Sequence, residues 1–146
     1  MDKSNWSGIV RYLSLQNQRD GILLAARILL VALFVIFGWQ KLTGFSSTVG
    51  YMTTVGAPFP ALSAIIAVVV EFGIGIVVLV GFFTRPLALL LAVYTVATAF
   101  IGHRYWALSG MEHTAAMIGF YKNVSIAGGF LLLALTGPGR ISLDRR

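Results

Sequence analysis

Glu71 is the only charged residue between Ala61 and Phe82, an apolar run that as a helix would rise ~33 Å and cross the ~30 Å hydrocarbon core of a bilayer. A carboxylate at that depth costs roughly 2.5 to 3.5 kcal/mol, so it must face protein or water and either find a cation or hold a proton. Three cations are available from other apolar runs: Arg27 within Ile22–Gln40, Lys41 at its far end, and Lys122, followed by Asn123, within Thr114–Thr136. With each run centred on the membrane midplane, Arg27 lies ~6 Å toward the side of the termini and Lys122 ~4.5 Å toward the other. Helical side chains lean toward the N-terminal end of their own helix. Glu71 and Lys122 therefore lean the same way and are expected to pair, with Lys41 leaning back into the bundle to join them. Arg27 leans the opposite way, where it either snorkels to the surface or takes a place in the site. With His103 at the end of the third run, these residues outline a polar cavity in the half of the bundle away from the termini. Two lysines set against one carboxylate suit an anion or the carbonyl oxygen of a quinone, and Phe34, Phe72 and Tyr121 are the expected walls for a ring. The plainer alternative is a Glu71–Lys122 contact that only joins helices.

Four spans must position these groups: Ile22–Gln40, Ala61–Phe82, Pro86–Gly102 and Thr114–Thr136. Each has a stripe of small or polar residues at helical spacing. Gly38 shares a face with Arg27, Phe34 and Lys41; Ala64, Ala67 and Gly75 share one with Glu71; Thr95, Thr98 and Gly102 mark the third span, and Ala115, Gly119, Ser125 and Gly129 the fourth. Phe45, Val49, Met52 and Val55 predict a short surface helix between the first two spans, before Pro58 and Pro60 redirect the chain. Thr84-Arg85-Pro86 is so short a connection that spans two and three must be antiparallel neighbours. Gly137-Pro138-Gly139 stops the fourth span. The fold expected is an all-α membrane protein, an antiparallel four-transmembrane-helix bundle. It comprises an amphipathic N-terminal segment over 1–20, in which Trp6, Ile9, Val10 and Leu13 recur at helical intervals from Asn5 to Arg19, the bundle over 21–139 and a basic tail over 140–146.

Composition agrees. The chain has 146 residues, 58% of them hydrophobic and 11% charged, with a mean hydropathy of +0.86, outside the range of an ordinary soluble domain. The net charge of +6 does not indicate nucleic acid, because the basic residues flank apolar spans. The absence of cysteine excludes a disulfide relay, thiolate-bound zinc and iron–sulfur clusters in this chain. No metal site is expected, since His103 and His113 sit at an interface without a zinc-ligand spacing. The first apolar run begins only at Ile22 and is too long for a signal sequence, so it is expected to stay in the mature protein. Lys3, Arg11, Arg19, Arg85, Arg140, Arg145 and Arg146 fall on one side of the membrane and only Lys41 and Arg104 on the other. This bias predicts a multi-pass protein of the bacterial inner (plasma) membrane with both termini cytoplasmic. Reporters fused to either terminus are expected to be active only in the cytoplasm, and Tyr105–His113 to be labelled from outside; an N-terminus labelled on intact cells overturns this map.

Several segments together resemble the DoxX family of small bacterial and archaeal membrane proteins: Phe37-Gly38-Trp39-Gln40-Lys41-Leu42-Thr43-Gly44, Val70-Glu71-Phe72-Gly73-Ile74-Gly75, Gly81-Phe82-Phe83-Thr84-Arg85, Tyr121-Lys122-Asn123 leading to Gly128-Gly129, and Thr136-Gly137-Pro138-Gly139 with Ser142-Leu143-Asp144. The family's recurrent arginine, lysine, glutamate and lysine–asparagine positions fall on Arg27, Lys41, Glu71, Lys122 and Asn123. Where the family often has a glycine pair after the glutamate, this chain has Gly73-Ile74-Gly75. The resemblance implies a plasma-membrane protein, with some members tied to thiosulfate:quinone oxidoreduction or to membrane oxidoreductase complexes that answer oxidative stress. The expectation is therefore a membrane-embedded, quinone-interacting subunit of an oxidoreductase system, with Arg27, Lys41, Glu71, His103, Lys122 and Asn123 as ligand-binding residues. The expected partners are the lipid bilayer, a soluble or membrane oxidoreductase, and a second copy of the chain. Rival readings are a small proton-coupled transporter with Glu71 as its titrating group, and a structural or assembly partner without a ligand.

Overall fold

The computed structural model describes residues 18–144. The amphipathic helix expected over Asn5–Arg19 falls, except for its last two residues, outside the described residues, as do Arg145 and Arg146. The elements are α1 (Arg19–Thr43), α2 (Phe45–Thr54), α3 (Pro60–Leu79), α4 (Thr84–Gly102) and α5 (Gly110–Thr136), with a 3₁₀ turn at Tyr105–Ala107. α1, α3, α5 and α4 with its 3₁₀ extension are each long and apolar enough to cross a membrane. No strand occurs among the described residues.

Local chemistry sets the boundaries. Pro60 opens α3, where its missing N–H has no helical partner to lose. Gly137, at φ 77°, ends α5 in a conformation that costs glycine little. α5 starts four residues before the expected Thr114, placing Glu112 and His113 inside the helix rather than in a loop. Extended Ser109 precedes the helix, and the Glu112 carboxylate in the first turn complements the positive helix end.

The bundle is built from two intimate pairs, α1 along α3 and α4 along α5, with briefer contact between the pairs. Glycines at the crossings permit the approach within and between them. A methyl group on Gly38 would lie 2.5 Å from the backbone nitrogen of Phe72, and one on Gly129 2.6 Å from Leu30. Phe34 and Phe130 meet edge to face at 5.2 Å in the core. α3 and α4 touch near their shared turn but separate toward the other end. The short connection makes them neighbours at one end only, and a cavity opens where they part.

Of the two places open to Arg27, the surface is not the one it takes. It is 2% exposed, and its guanidinium donates from Nε to the carbonyl of Leu79 (3.0 Å), from Nη1 to that of Pro138 (2.8 Å) and from Nη2 to that of Ile141 (2.8 Å). Residues 140–144 of the tail fold back onto the bundle. Leu143 and Asp144 donate their N–H groups to the carbonyls of Val80 and Gly81, and the Asp144 carboxylate accepts from the N–H groups of Phe83 (2.9 Å) and Thr84 (3.0 Å) at the start of α4. Four helix-end donors need partners. A short chain return supplies two of them.

Candidate functional site

Glu71 lies in a π-helical stretch, Val69–Ile74, inserted in the middle of α3. Such bulges are uncommon and gather at functional sites. The wider turn coincides with the crossing of α1 over α3, where Gly38 rests on the Glu71–Phe72 backbone. Lys41 follows Gly38 by three residues on the same face of α1, which brings its ammonium onto the carboxylate. Nζ donates to Glu71 Oε2 at 2.6 Å, and the side chains are 24% and 12% exposed. The other carboxylate oxygen, Oε1, accepts the hydroxyl of Tyr94 from α4 at 2.8 Å. Charge-assisted contacts this short offset part of the cost of placing Glu71 in the membrane.

The expected Glu71–Lys122 pair is thus replaced by Lys41–Glu71–Tyr94. Lys122 has the right depth, but it lies on α5, which packs on α4 rather than on α3, and its side chain is exposed. It makes no hydrogen bond or ion pair among the described residues and lines a cavity beside the cluster. Asn123 is nearer the centre, its Nδ2 donating weakly to Thr98 Oγ1 at 3.5 Å. His103 reaches inward and packs its ring on Gly119, where a methyl group would lie 2.6 Å from Nδ1. Arg27 is elsewhere, bonded to Leu79, eight residues or ~12 Å along α3 from Glu71.

Two cavities meet at the cluster and share Lys41, Glu71, Tyr94, Thr98 and Asn123 as lining. The larger, ≈ 420 Å³, lies among α2, α3 and α4, with Met52, Val55, Ile66 and Ile101 as apolar wall and His103 at its rim. The smaller, ≈ 130 Å³, is bounded by Leu33, Phe34, Phe37, Lys122 and Ile126. Of the three aromatic walls expected, only Phe34 lines a cavity. Phe72 stacks on Trp39 at 5.5 Å, and Tyr121 is 55% exposed. Arg104 Nη2 donates to the carbonyl of Val55 at 2.6 Å, tying the end of α4 to the segment that covers the larger cavity. His113 is occupied with the carbonyl of Tyr105 (2.8 Å). Among the described residues, no group of three or more His, Cys, Asp or Glu side chains could hold a metal ion.

Tyr94 was missed, although a signal existed. It stands at the centre of Pro86–Gly102, the same depth as Glu71, and a hydroxyl there must find a partner. Tyr51 and Met52 were out of reach, because α2 contributes to the cavity only through its packing on α3.

Comparison with known proteins adds a family and relatives. The DoxX family model matches residues 22–104. The chain is 56% identical over 137 residues to "Inner membrane protein YphA" of Escherichia coli (strain K12), covering 94% of this chain and 98% of that protein. It is 46% identical over 122 residues to "Inner membrane protein YqjF" of the same organism, covering 84% and 88%. No solved structure matches.

Proposed function

The chain belongs to the DoxX family, and from that premise we propose that it is a quinone-interacting membrane subunit of an oxidoreductase system. It is a multi-pass inner-membrane protein, with four spanning helices and two relatives named for that membrane. The observation that carries the proposal is the ≈ 420 Å³ cavity, apolar along its wall and closed on one side by Lys41, Glu71 and Tyr94. Its size and its few convergent polar groups suit a ring with carbonyl oxygens.

The donor set fits a quinone. The Lys41 ammonium and the Asn123 amide can each donate to a carbonyl oxygen, and Glu71 holds Lys41 in place through the 2.6 Å contact. The Tyr94 hydroxyl donates to Glu71 at 2.8 Å, which fixes the second carboxylate oxygen beside the ring. When bound, the quinone supplies two-electron redox chemistry. A chain without cysteine has no thiol relay, so the electrons are assigned to a partner oxidoreductase. A lipid-soluble ligand can enter sideways between helices and needs no aqueous channel.

Purified protein extracted with organic solvent is expected to yield quinone, and titration with a short-chain quinone to saturate. Lys41→Met and Tyr94→Phe are expected to weaken binding roughly tenfold each while the helical content is kept. Absence of saturable binding in the wild type sinks the proposal. The junction of two cavities at one carboxylate favours, as the second reading, a proton-coupled transporter. Acid-driven flux in liposomes that Glu71→Gln abolishes would select it.

A further inference from the structure

A third pocket, ≈ 770 Å³, lies at the opposite end of the bundle, where the start of α1, the α3–α4 turn and the Gly137–Arg140 segment converge. Each segment brings one arginine: Arg19, Arg85 and Arg140. The guanidinium groups of Arg19 and Arg140 are exposed and make no hydrogen bond or ion pair among the described residues. Arg85 uses Nη1 on the carbonyl of Leu135 at 3.0 Å, and its Nε and Nη2 lie over Gly137, where a methyl group would be 3.2 Å from each. Asp20 and Asp144 also line the pocket, but each is turned to backbone donors, Asp20 to the N–H of Arg140 (2.9 Å) and Asp144 to those of Phe83 and Thr84. The lining side chains therefore carry net positive charge. Thr84 adds a side chain with no exposed surface, whose hydroxyl has no partner among the described residues.

The surroundings indicate what such a site would hold. The pocket sits where α1 and α4 begin and α5 ends, the level of lipid phosphates for helices of this length. Phe82, Phe83 and Leu143 stand at its edge, 47%, 60% and 64% exposed, an exposed apolar rim beside the arginines.

We propose that this pocket binds the phosphate ester of an anionic phospholipid headgroup, with Arg19, Arg85 and Arg140 as the phosphate-binding residues and Phe82 and Phe83 against its acyl chains. Guanidinium groups suit phosphate oxygens because their paired donors match them in spacing, and basic pockets between spanning helices take anionic headgroups in this way. The site is independent of the quinone reading. It shares no lining residue with the Glu71 cavities.

The test titrates detergent-purified protein with short-chain phosphatidylglycerol, phosphatidylcholine and glycerol 3-phosphate, reading affinity and the shift in unfolding temperature. Wild type is expected to bind phosphatidylglycerol saturably and be stabilised by it, with phosphatidylcholine and glycerol 3-phosphate far weaker. Arg19→Gln with Arg140→Gln is expected to weaken phosphatidylglycerol binding roughly 30-fold. Neither side chain bonds to the described protein, so the lipid-free unfolding temperature should not change. Equal binding of phosphatidylcholine, or unchanged phosphatidylglycerol affinity in the double variant, overturns the site. Equal affinity for glycerol 3-phosphate overturns its assignment to a lipid and gives it to soluble phosphate esters.

Discussion

Replacing Arg27 with methionine is expected to cost about 3 to 5 kcal/mol of folding stability, read from reversible unfolding in mixed micelles. The methionine fills much of the space but leaves three buried or half-buried carbonyls, those of Leu79, Pro138 and Ile141, without the donor that now serves them. Arg27→Lys sharpens the test. An ammonium keeps the charge, yet it lacks the planar fork that reaches the end of α3 and the returning tail at once. Lysine should therefore recover only a small part of the loss. If Arg27→Lys unfolds like the wild type, charge alone is what the position needs and the three-carbonyl tie is wrong. The same variants should make the 140–144 segment more sensitive to protease, because Arg27 holds Pro138 and Ile141 from beneath.

Comparable losses are expected at the centre of the membrane, where a double-mutant cycle can separate partners. Lys41→Met leaves Glu71 with only the Tyr94 hydroxyl, and Glu71→Gln leaves the Lys41 ammonium without its counter-charge; each single change is expected to cost about 3 kcal/mol or more. The double variant should fall short of the sum by about 1 to 3 kcal/mol, the range for groups in direct contact. Glu71→Gln combined with Lys122→Met should instead be additive within about 0.5 kcal/mol, because Lys122 lies exposed on α5 and does not touch the carboxylate. Coupling of Glu71 to Lys122 rather than Lys41 would falsify the arrangement of the cluster. A change in quinone affinity without coupling between Lys41 and Glu71 would separate the ligand site from the ion pair.

Properties carried by hydropathy and spacing could be read from the chain alone. The four spans follow from run length and the interruptions at Gly44, Pro60, Thr84-Arg85-Pro86 and Gly137-Pro138. Gly38, Gly75, Gly119 and Gly129 could be assigned to interior faces because a residue every third or fourth position returns to the same side of a helix, and each of them meets another element. Depth along a span is also a property of sequence, which is why Glu71, Lys122 and Asn123 could be placed near one level, with Lys41 leaning in from the end of its span. Rotation and neighbour choice are not. Lys41 prevails over Lys122 because α1, not α5, lies along α3, and because the π-helical stretch alters the direction of Glu71 by an amount that no 3.6-residue wheel contains. Depth alone left Arg27 between snorkelling and a place in the site, and its actual partners come from the tail returning beneath α1, with carbonyls more than a hundred positions away supplying two of its three acceptors. Spacing within one helix constrains depth and face, whereas a contact between helices depends on the joint packing of all of them, and that is fixed only when the small residues of each have found their partners.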